Sequence, residues 1–422
     1  LYVWGHDLDA AGLDVLVAER QIDPLFQSGS VMVADRGVLS FVYKAAAEIG
    51  ELGDNTAVLR AAISADPLLR RALESPGALV AVLGHTRWAS VGIISEPNTH
   101  PLNSIESEMS AGHDTPYVVA ALNGDVDNHA DLRVKHGLRI AAPITTDAKV
   151  IPALVARRRA SAPLAEAFRR TVAEFEGSVA IGAAAAEAPS TLLLALRGSG
   201  QGLYIGLADV CFVVASEPYG VVEETSLYVR MDGEHGGEVV VLDGASAGEL
   251  AGITRLGYDG SPIPVDDTAV VVAEVSTRDL NRGDSPHFLL KEISEAPSSF
   301  AKTLRGKIVE RDGVLHASLG DATLPPATSA ALADGTIRRV RVIGQGTAAV
   351  AGQSTADILD ELTGGTLDVA AVTATELSGF GMRLDMSDTL AVAVSQSGTT
   401  TDTNRTVDLL RSRGAHVIGI VN

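Results

Sequence analysis

The sequence LAVAVSQSGTT at residues 390–400 indicates the fold of the C-terminal part of the chain. An apolar run of strand length ends there in a turn of glycine and small hydroxyl residues, and a helical pattern follows. A second stretch, RVRVIGQGT at residues 339–347, has the same order of strand, turn and helix. Strands that alternate with helices in this way predict right-handed crossovers and a parallel sheet.

From these two stretches and the sequence around them, we predict an α/β domain with four strands. The predicted strands are 339–343, 368–372, 390–394 and 416–421, and the predicted longer helices are 347–362 and 399–413.

Both turns lie where open parallel sheets bind ligands, at the carboxyl ends of strands and the starts of helices. Backbone N–H groups at a helix start favour an anion, and small hydroxyl side chains add donors. Neither turn contains the lysine of a Walker loop, so the pattern suits a single phosphate on a small molecule. The alternative is that the hydroxyl residues only cap the helices. The candidate residues are Thr347, Ser395, Gln396, Ser397 and Thr400.

The N-terminal part of the chain has a different pattern. Short β-branched runs bounded by Gly, Asn and Asp indicate strands of a largely buried sheet. Two helical stretches, 56–73 and 147–175, lie between these runs. Strands and helices mixed in this order predict a layered α+β domain.

A change of composition separates the two parts. Residues 251–284 are rich in Gly, Asp, Pro and Thr, which is typical of a linker or of an excursion at a domain edge. A helix interrupted by Pro297 is predicted at 288–304. We therefore predict one domain at 1–277 and a second at 278–422.

Composition excludes several classes of protein. The 33 basic and 53 acidic residues among 422 give a net charge of −20, which disfavours nucleic acid and anionic membrane surfaces as partners. A hydrophobic fraction of 46% with 20% charged residues excludes a disordered chain. Without an apolar run long enough to cross a bilayer, the chain is predicted to be cytoplasmic.

The single cysteine, Cys211, excludes an internal disulfide framework. It stands in the apolar run 210–215, so we expect a buried and inert thiol rather than a nucleophile. The ten histidines include no HExxH spacing, and neither a metal nor a cofactor is predicted.

Three polar clusters in the N-terminal part each allow two interpretations. Arg87 can bind a carboxylate with its planar fork, or it can stack on Trp88 as a surface element. Asn123 and Gly124 can form a turn, or they can offer an amide and a backbone N–H to an oxyanion. Asp147 can cap a helix, or it can be the counter-charge to a substrate ammonium.

Taken together, these motifs resemble the glutamine–fructose-6-phosphate aminotransferase family, in the order in which that family has them. The residues that carry the resemblance are Gly5-His6-Asp7 with Ala11-Gly12, 84–89 with Gly92 and 98–101, Asn123-Gly124 with Asn128-His129 and Leu132-Arg133, Thr146-Asp147, Lys291-Glu292-Ile293 with Glu295 and Pro297, and 395–398 with Thr400, Asp402 and Thr403.

The resemblance implies a four-layer α+β glutaminase domain of the N-terminal-nucleophile type, followed by an α/β sugar-isomerase (SIS) domain with a parallel sheet. It implies that Arg87, Trp88, Ser90 and Asp147 bind glutamine, and that Asn123 and Gly124 form the oxyanion hole. The phosphate turns would bind fructose 6-phosphate, and the product would be glucosamine 6-phosphate. A homodimer or larger homo-oligomer is also expected.

Several positions depart from the family pattern. Trp4 stands where the family has Arg, Val91 where it has His, and Ala348 where it has a phosphate-binding Ser. The family's nucleophilic cysteine is expected to precede Leu1, and a second SIS domain is expected beyond Asn422.

The departures keep two alternatives open. One is a catalytically degenerate sensor of sugar phosphate or glutamine on the same scaffold. The other is a glutaminase that serves a different acceptor.

Overall fold

The computed structural model of the protein divides into two compact units, Leu1–Leu280 and Asn281–Asn422. It describes residues 1–4, 13–20, 24–34, 37–46, 54–86, 91–107, 116–198, 201–233, 236–273, 284–320, 323–396, 398 and 400–421.

The described part of the first unit contains six α-helices and fifteen strands. The helices are α1 (Leu13–Arg20), α2 (Asp54–Ala65), α3 (Pro67–Leu73), α4 (His129–Lys135), α5 (Val150–Arg159) and α6 (Leu164–Val172). The strands are β1 (Tyr2–Trp4), β2 (Ser30–Ala34), β3 (Val38–Val42), β4 (Leu79–Ala81), β5 (Leu102–Asn103), β6 (Val118–Gly124), β7 (Val179–Ala185), β8 (Thr191–Arg197), β9 (Tyr204–Leu207), β10 (Phe212–Ala215), β11 (Leu227–Arg230), β12 (Glu238–Asp243), β13 (Ile253–Gly257), β14 (Pro262–Ile263) and β15 (Val270–Val272).

Three antiparallel sheets form the centre of this unit. The large sheet has the order β14-β13-β12-β8-β7-β6-β5, and two smaller sheets have the orders β2-β3-β1-β4 and β10-β9-β11-β15. The residues of β7 show how the large sheet is covered. Val179 and Ile181 pack with α5 and α6 on one face, and Ala180 and Ala184 pack against the smaller sheets on the other. This alternation follows from the two-residue period of a strand.

The sheet β2-β3-β1-β4 has a helix on its outer face, where Leu68 and Leu69 of α3 pack on Val3 and Phe41. The order of layers is therefore helix, sheet, sheet, helix. This arrangement confirms the layered α+β organisation that the sequence predicted and the four layers that the resemblance implies.

Two predicted helices are each divided by a proline. The stretch 56–73 ends at Ala65 and restarts at Pro67, and the stretch 147–175 is interrupted before Leu164 by Pro163. Proline lacks an N–H for the helical ladder and suits the first turn of a new helix. In contrast, the helix Phe288–Leu304 continues through Pro297, although the sequence predicted an interruption there.

The second unit contains a four-stranded parallel sheet, as predicted. The described helices are α7 (Phe288–Leu304), α8 (Pro326–Ala333), α9 (Thr347–Thr363) and α10 (Thr401–Ser412), with a short turn Ala374–Glu376 leading into a π-helical segment, Leu377–Gly381. The strands are β16 (Ile308–Arg311), β17 (Val314–Ala317), β18 (Arg339–Gly344), β19 (Asp368–Thr373), β20 (Thr389–Ser395) and β21 (His416–Val421).

The strand order of the parallel sheet is β19-β18-β20-β21. From β18 the chain moves outward to β19, then crosses back to β20 and continues to β21 on the other side. Ala356 of α9 packs on Val340 and Val342 on one face, whereas Leu410 of α10 packs on Ile343 and Ala391 on the other. The sheet is therefore covered on both faces, and its direction of winding reverses between β18 and β20.

Cys211 differs from its prediction. It lies just before β10 and is partly exposed, because the strand begins only at Phe212. The apolar pattern of 210–215 placed the strand two residues too early, since Val210 is exposed. Among the described residues no helix is both long and apolar enough to span a membrane.

Asp66 connects helices α1 and α3 to Tyr43, the residue that follows β3. Its Oδ1 accepts the N–H groups of Leu68 (2.9 Å) and Leu69 (3.1 Å) at the start of α3. Its Oδ2 accepts from Arg20 of α1 (2.7 Å) and from the hydroxyl of Tyr43 (2.6 Å). Burial raises the pKa of this carboxyl, but the hydrogen bonds from Tyr43 and Arg20 outweigh burial and lower the pKa below its usual value.

We predict that Asp66→Asn lowers the free energy of unfolding at pH 7 by about 1–3 kcal/mol, because an amide N–H would then face the donors of Arg20 and Tyr43. A depressed carboxyl pKa stabilises the fold above the unfolded pKa of about 3.9, and this contribution is lost as the pH falls. The variant should therefore lose less stability on acidification than the wild type in denaturant titrations. Asp209→Asn, which removes an exposed carboxylate, is the control. Equal acid sensitivity of Asp66→Asn and wild type would contradict the prediction.

Candidate functional site

Asn123 and Gly124 are the last two residues of β6, where they pair with Ala180 and Val179 of β7. They do not join two strands of a hairpin, so the simple turn interpretation is wrong. The Asn123 side chain is exposed at the strand end. Gly124 has φ +111°, and a Cβ there would lie 2.0 Å from the carbonyl oxygen of Ser178. Only glycine fits this position.

Asp147 lies beside the same strand end. The residue is 4% exposed, and its Oδ2 accepts the N–H of Val126 at 2.8 Å. Its Oδ1 accepts from the hydroxyl of Thr146 at 3.2 Å. The N-cap position of the following 3₁₀ turn, Asp147–Lys149, belongs to Thr146, so the interpretation of Asp147 as a cap is wrong. Its carboxylate instead binds a separate segment two residues beyond Gly124.

Asn98 fixes the backbone that leads into Asp147. Its side chain is fully buried, and Oδ1 accepts the N–H groups of Thr145 (2.8 Å) and Thr146 (3.0 Å). Its Nδ2 donates to the carbonyl of Ile93 (3.2 Å) and to the hydroxyls of Ser95 (3.0 Å) and Thr145 (3.1 Å). One amide therefore connects the loop that follows residue 91 to the Asp147 turn.

Gly92 brings the same loop close to this turn. It has φ +84°, and a Cβ there would lie 2.9 Å from Thr145 Oγ1 and 3.1 Å from the Thr146 backbone nitrogen. Any side chain at this position would push the two segments apart. The close approach explains a glycine directly after Val91.

Arg87, Trp88 and Ser90 lie outside the described residues, so their predicted contacts with glutamine stay predictions. On the N-terminal side of this gap, the His85 ring lies 4.6 Å from the ring of His100. His100 Nδ1 in turn accepts the N–H of Leu122 in β6 at 3.3 Å. The described residues before position 87 thus lie near β6, and those after position 90 lie near the Asp147 turn.

The first unit therefore places an exposed carboxamide, a strained glycine and a buried carboxylate at one end of β6. A carboxylate held in this way can bind an ammonium group, and an amide with a nearby backbone N–H can stabilise an oxyanion. Sequence reasoning did not identify the part that Asn98 plays. The only sequence feature that pointed to Asn98 was its place in the segment 98–101, Asn-x-x-Pro, which is part of the resemblance.

In the second unit, Ser395 ends β20 and is 7% exposed. Its Oγ accepts the N–H of Gly398 at 3.1 Å and lies 3.3 Å from Thr400 Oγ1. Thr400 occupies the N-cap position of α10 without a capping bond from its side chain. Gln396 is exposed, and Ser397 lies outside the described residues.

Thr347 is the first residue of α9, and the N-cap before it is Gly346, which has no side chain to donate. The interpretation of Thr347 as a cap is therefore wrong, and its side chain is exposed at the helix start. The turns after β18 and β20 lie at the carboxyl ends of neighbouring parallel strands, where the winding of the sheet reverses. In open α/β sheets ligands bind in the crevice at this point.

Two polar atoms near these turns have no hydrogen-bond partner within the described part of the chain. Gln345 follows β18 and donates from Nε2 to Thr375 Oγ1 at 3.4 Å, but its Oε1 is buried without a donor. The hydroxyl of Thr403, in the first turn of α10, is also buried and unpartnered. Buried polar atoms without partners are uncommon. Their position next to the turns adds polar character to this edge of the sheet.

Across the described ranges, no group of three or more His, Cys, Asp or Glu side chains is arranged to hold a metal ion.

We predict that Asn98→Ala lowers the free energy of unfolding by roughly 2–4 kcal/mol, because it leaves the buried N–H of Thr146 and the partly buried N–H of Thr145 without an acceptor. Hydrogen exchange of these two amides should accelerate selectively. Asn128→Ala is the matched control, since Asn128 also joins two segments, through the Glu174 carbonyl and the Glu176 N–H. Protection at 145 and 146 that changes equally in both variants would contradict the assigned role.

This chain is similar to one domain family and to several enzymes that share one name. The SIS domain family model matches residues 336–422. A glutamine–fructose-6-phosphate aminotransferase (isomerizing) of Symbiobacterium thermophilum is 31% identical over 347 residues, which are 81% of this chain and 50% of that protein. The enzyme of the same name from Pyrobaculum aerophilum is 29% identical over 94% of this chain and 56% of its own length. That of Streptomyces coelicolor is 31% identical over 81% of this chain and 50% of its own length.

The chain thus spans about half the length of the curated relatives it matches. The family match covers the parallel sheet β18–β21, where the candidate phosphate turns lie. The similarity to the aminotransferases extends over most of the chain and includes the first unit. Residues 336–422 are therefore a SIS domain, and the chain as a whole is a relative of the glutamine–fructose-6-phosphate aminotransferases.

Proposed function

We propose that this protein takes part in the glutamine-dependent conversion of fructose 6-phosphate to glucosamine 6-phosphate. Glutamine is hydrolysed in the first unit, and the sugar phosphate binds in the SIS domain. The names of the relatives support this reaction. The observation that carries the proposal is the hydrogen bond from the Val126 N–H to Asp147 Oδ2. Because Val126 follows Gly124 by two residues, this bond holds the buried Asp147 carboxylate close to Asn123 and Gly124. The proposal includes no cofactor.

In the first unit, the α-ammonium of glutamine binds Asp147 and its α-carboxylate binds Arg87. Trp88 and Ser90 complete the amino-acid site. When a nucleophile attacks the side-chain amide, negative charge develops on the amide oxygen. The Asn123 side chain and the Gly124 N–H donate to that oxygen and stabilise the transition state. The resemblance implies that the nucleophile is a cysteine thiolate.

In the SIS domain, the phosphate binds at the crevice between the turns after β18 and β20. Backbone N–H groups at the starts of α9 and α10, together with the positive ends of both helix dipoles, favour an anion there. Thr347, Ser395, Gln396, Ser397 and Thr400 supply polar side chains. The net charge of −20 makes this local attraction necessary, because the protein as a whole repels a phosphate.

A degenerate sensor of sugar phosphate or glutamine is the alternative function. Ala348 favours it, since an alanine in the first turn of α9 offers no hydroxyl to the phosphate. The two functions differ in one measurable outcome. The intact enzyme releases glutamate from glutamine, whereas a sensor binds the sugar phosphate without that release.

We further propose that the protein is cytoplasmic and that it assembles as a homodimer or a larger homo-oligomer. The large acidic excess supports the absence of nucleic acid and anionic lipid among the partners. Light scattering of the intact protein measures the assembly directly.

We predict that Asp147→Asn raises the KM for glutamine by roughly 30- to 1,000-fold, equivalent to about 2–4 kcal/mol, because a neutral amide replaces the partner of the ammonium. The substitution preserves an oxygen for the Val126 N–H, so the fold should persist. Asp127→Asn, an exposed carboxylate nearby, is the control and should leave KM unchanged. A glutamine KM that is the same in Asp147→Asn and wild type would refute the ammonium site.

We also predict that Ser395→Ala weakens fructose 6-phosphate binding about tenfold or more, because the turn loses the acceptor for the Gly398 N–H and a hydroxyl at the crevice. Calorimetry of the intact protein measures the affinity. Glutamine hydrolysis without sugar should stay unchanged, since the two sites are separate. Ser412→Ala, at the opposite end of α10, is the control. Equal loss of both activities in Ser395→Ala would contradict separate sites.

A further inference from the structure

Lys149 is a completely buried lysine in the turn that carries Asp147. Its exposed fraction is 0%, and it is among the largest fully buried side chains of the described chain. Its Nζ donates to the carbonyl of Ile105 at 2.9 Å and to Asn103 Oδ1 at 3.3 Å. Burying an ammonium group costs desolvation free energy, which hydrogen bonds to the buried group must offset.

The acceptors of Lys149 belong to an ordered part of the first unit. Asn103 ends β5, and its Oδ1 also accepts the N–H of Ile105 at 2.8 Å. β5 in turn pairs with β6 through Leu102 and Ala120. Lys149 is therefore anchored to the same pair of strands whose far end presents Asn123 and Gly124.

The turn Asp147–Lys149 is held at two points by its own side chains. Asp147 binds the Val126 N–H after β6, whereas Lys149 binds the residues after β5. A 3₁₀ turn has three residues per turn, so side chains two positions apart point in different directions. Two anchors in different directions fix the rotation of the turn, and with it the direction of the Asp147 carboxylate.

We infer that Lys149 is a positioning residue of the amino-acid site, acting through the orientation of Asp147 on the α-ammonium of the substrate. The inference rests on the proposed function, because it requires that Asp147 binds an ammonium. Lys149 itself does not touch the substrate.

The test compares two probes that differ only in the ammonium group, L-glutamate and glutarate, on the intact protein. The ratio of their dissociation constants measures what the ammonium contributes to binding. Lys149→Met keeps the length of the side chain but removes both hydrogen bonds and the charge. We expect the preference for glutamate over glutarate to fall about tenfold in this variant. Lys135→Met, an exposed lysine paired with Glu174, is the matched control and should keep the wild-type ratio.

A purely structural role would weaken both probes equally and leave the ratio unchanged, which would overturn the inference. A wild-type ratio near one would overturn the ammonium site of the proposed function, and the inference with it. A large wild-type ratio that persists in Lys149→Met would overturn the inference alone. If Lys149→Met does not fold, Asn103→Ser removes one acceptor and should lower the ratio two- to threefold. An unchanged ratio in that variant would also count against the inference.

Discussion

The hydrogen bond from the Val126 N–H to Asp147 Oδ2 connects the two chain segments on which the proposed amino-acid site depends. One is the end of β6, where Asn123 is exposed and where Gly124 passes too close to Ser178 for any side chain. The other is a buried turn whose backbone is fixed by Asn98. A buried carboxylate is stable only with such partners, so the site can form only when the layers around it are in place.

The proposed phosphate site depends on the topology of the sheet rather than on one hydrogen bond. The sheet order β19-β18-β20-β21 makes the turns after β18 and β20 neighbours, although about fifty residues separate them in the chain. Helices on opposite faces of the sheet start from these turns, so two sets of backbone N–H groups converge at one edge.

The elements of the SIS domain were predictable almost to the residue, because strand and helix periods are local properties of the sequence. The strand order was not, since it depends on pairing between distant segments. In the first unit, the breaks before Pro67 and after Arg159 could have been read from the prolines. The hydrogen-bond partner of Asp147 could not be predicted, because nothing in the sequence near residue 147 indicates the Val126 N–H. Asn98 likewise shows its importance only when its five hydrogen bonds to four neighbouring residues are seen together.

The most direct measurement is a crystal structure of the intact protein with L-glutamate bound. We predict that the α-ammonium lies about 2.7–3.2 Å from an Asp147 carboxylate oxygen and that the side-chain carboxylate lies next to Asn123 and Gly124. Glutamate bound elsewhere, with Asp147 still contacting only Val126 and Thr146, would contradict it.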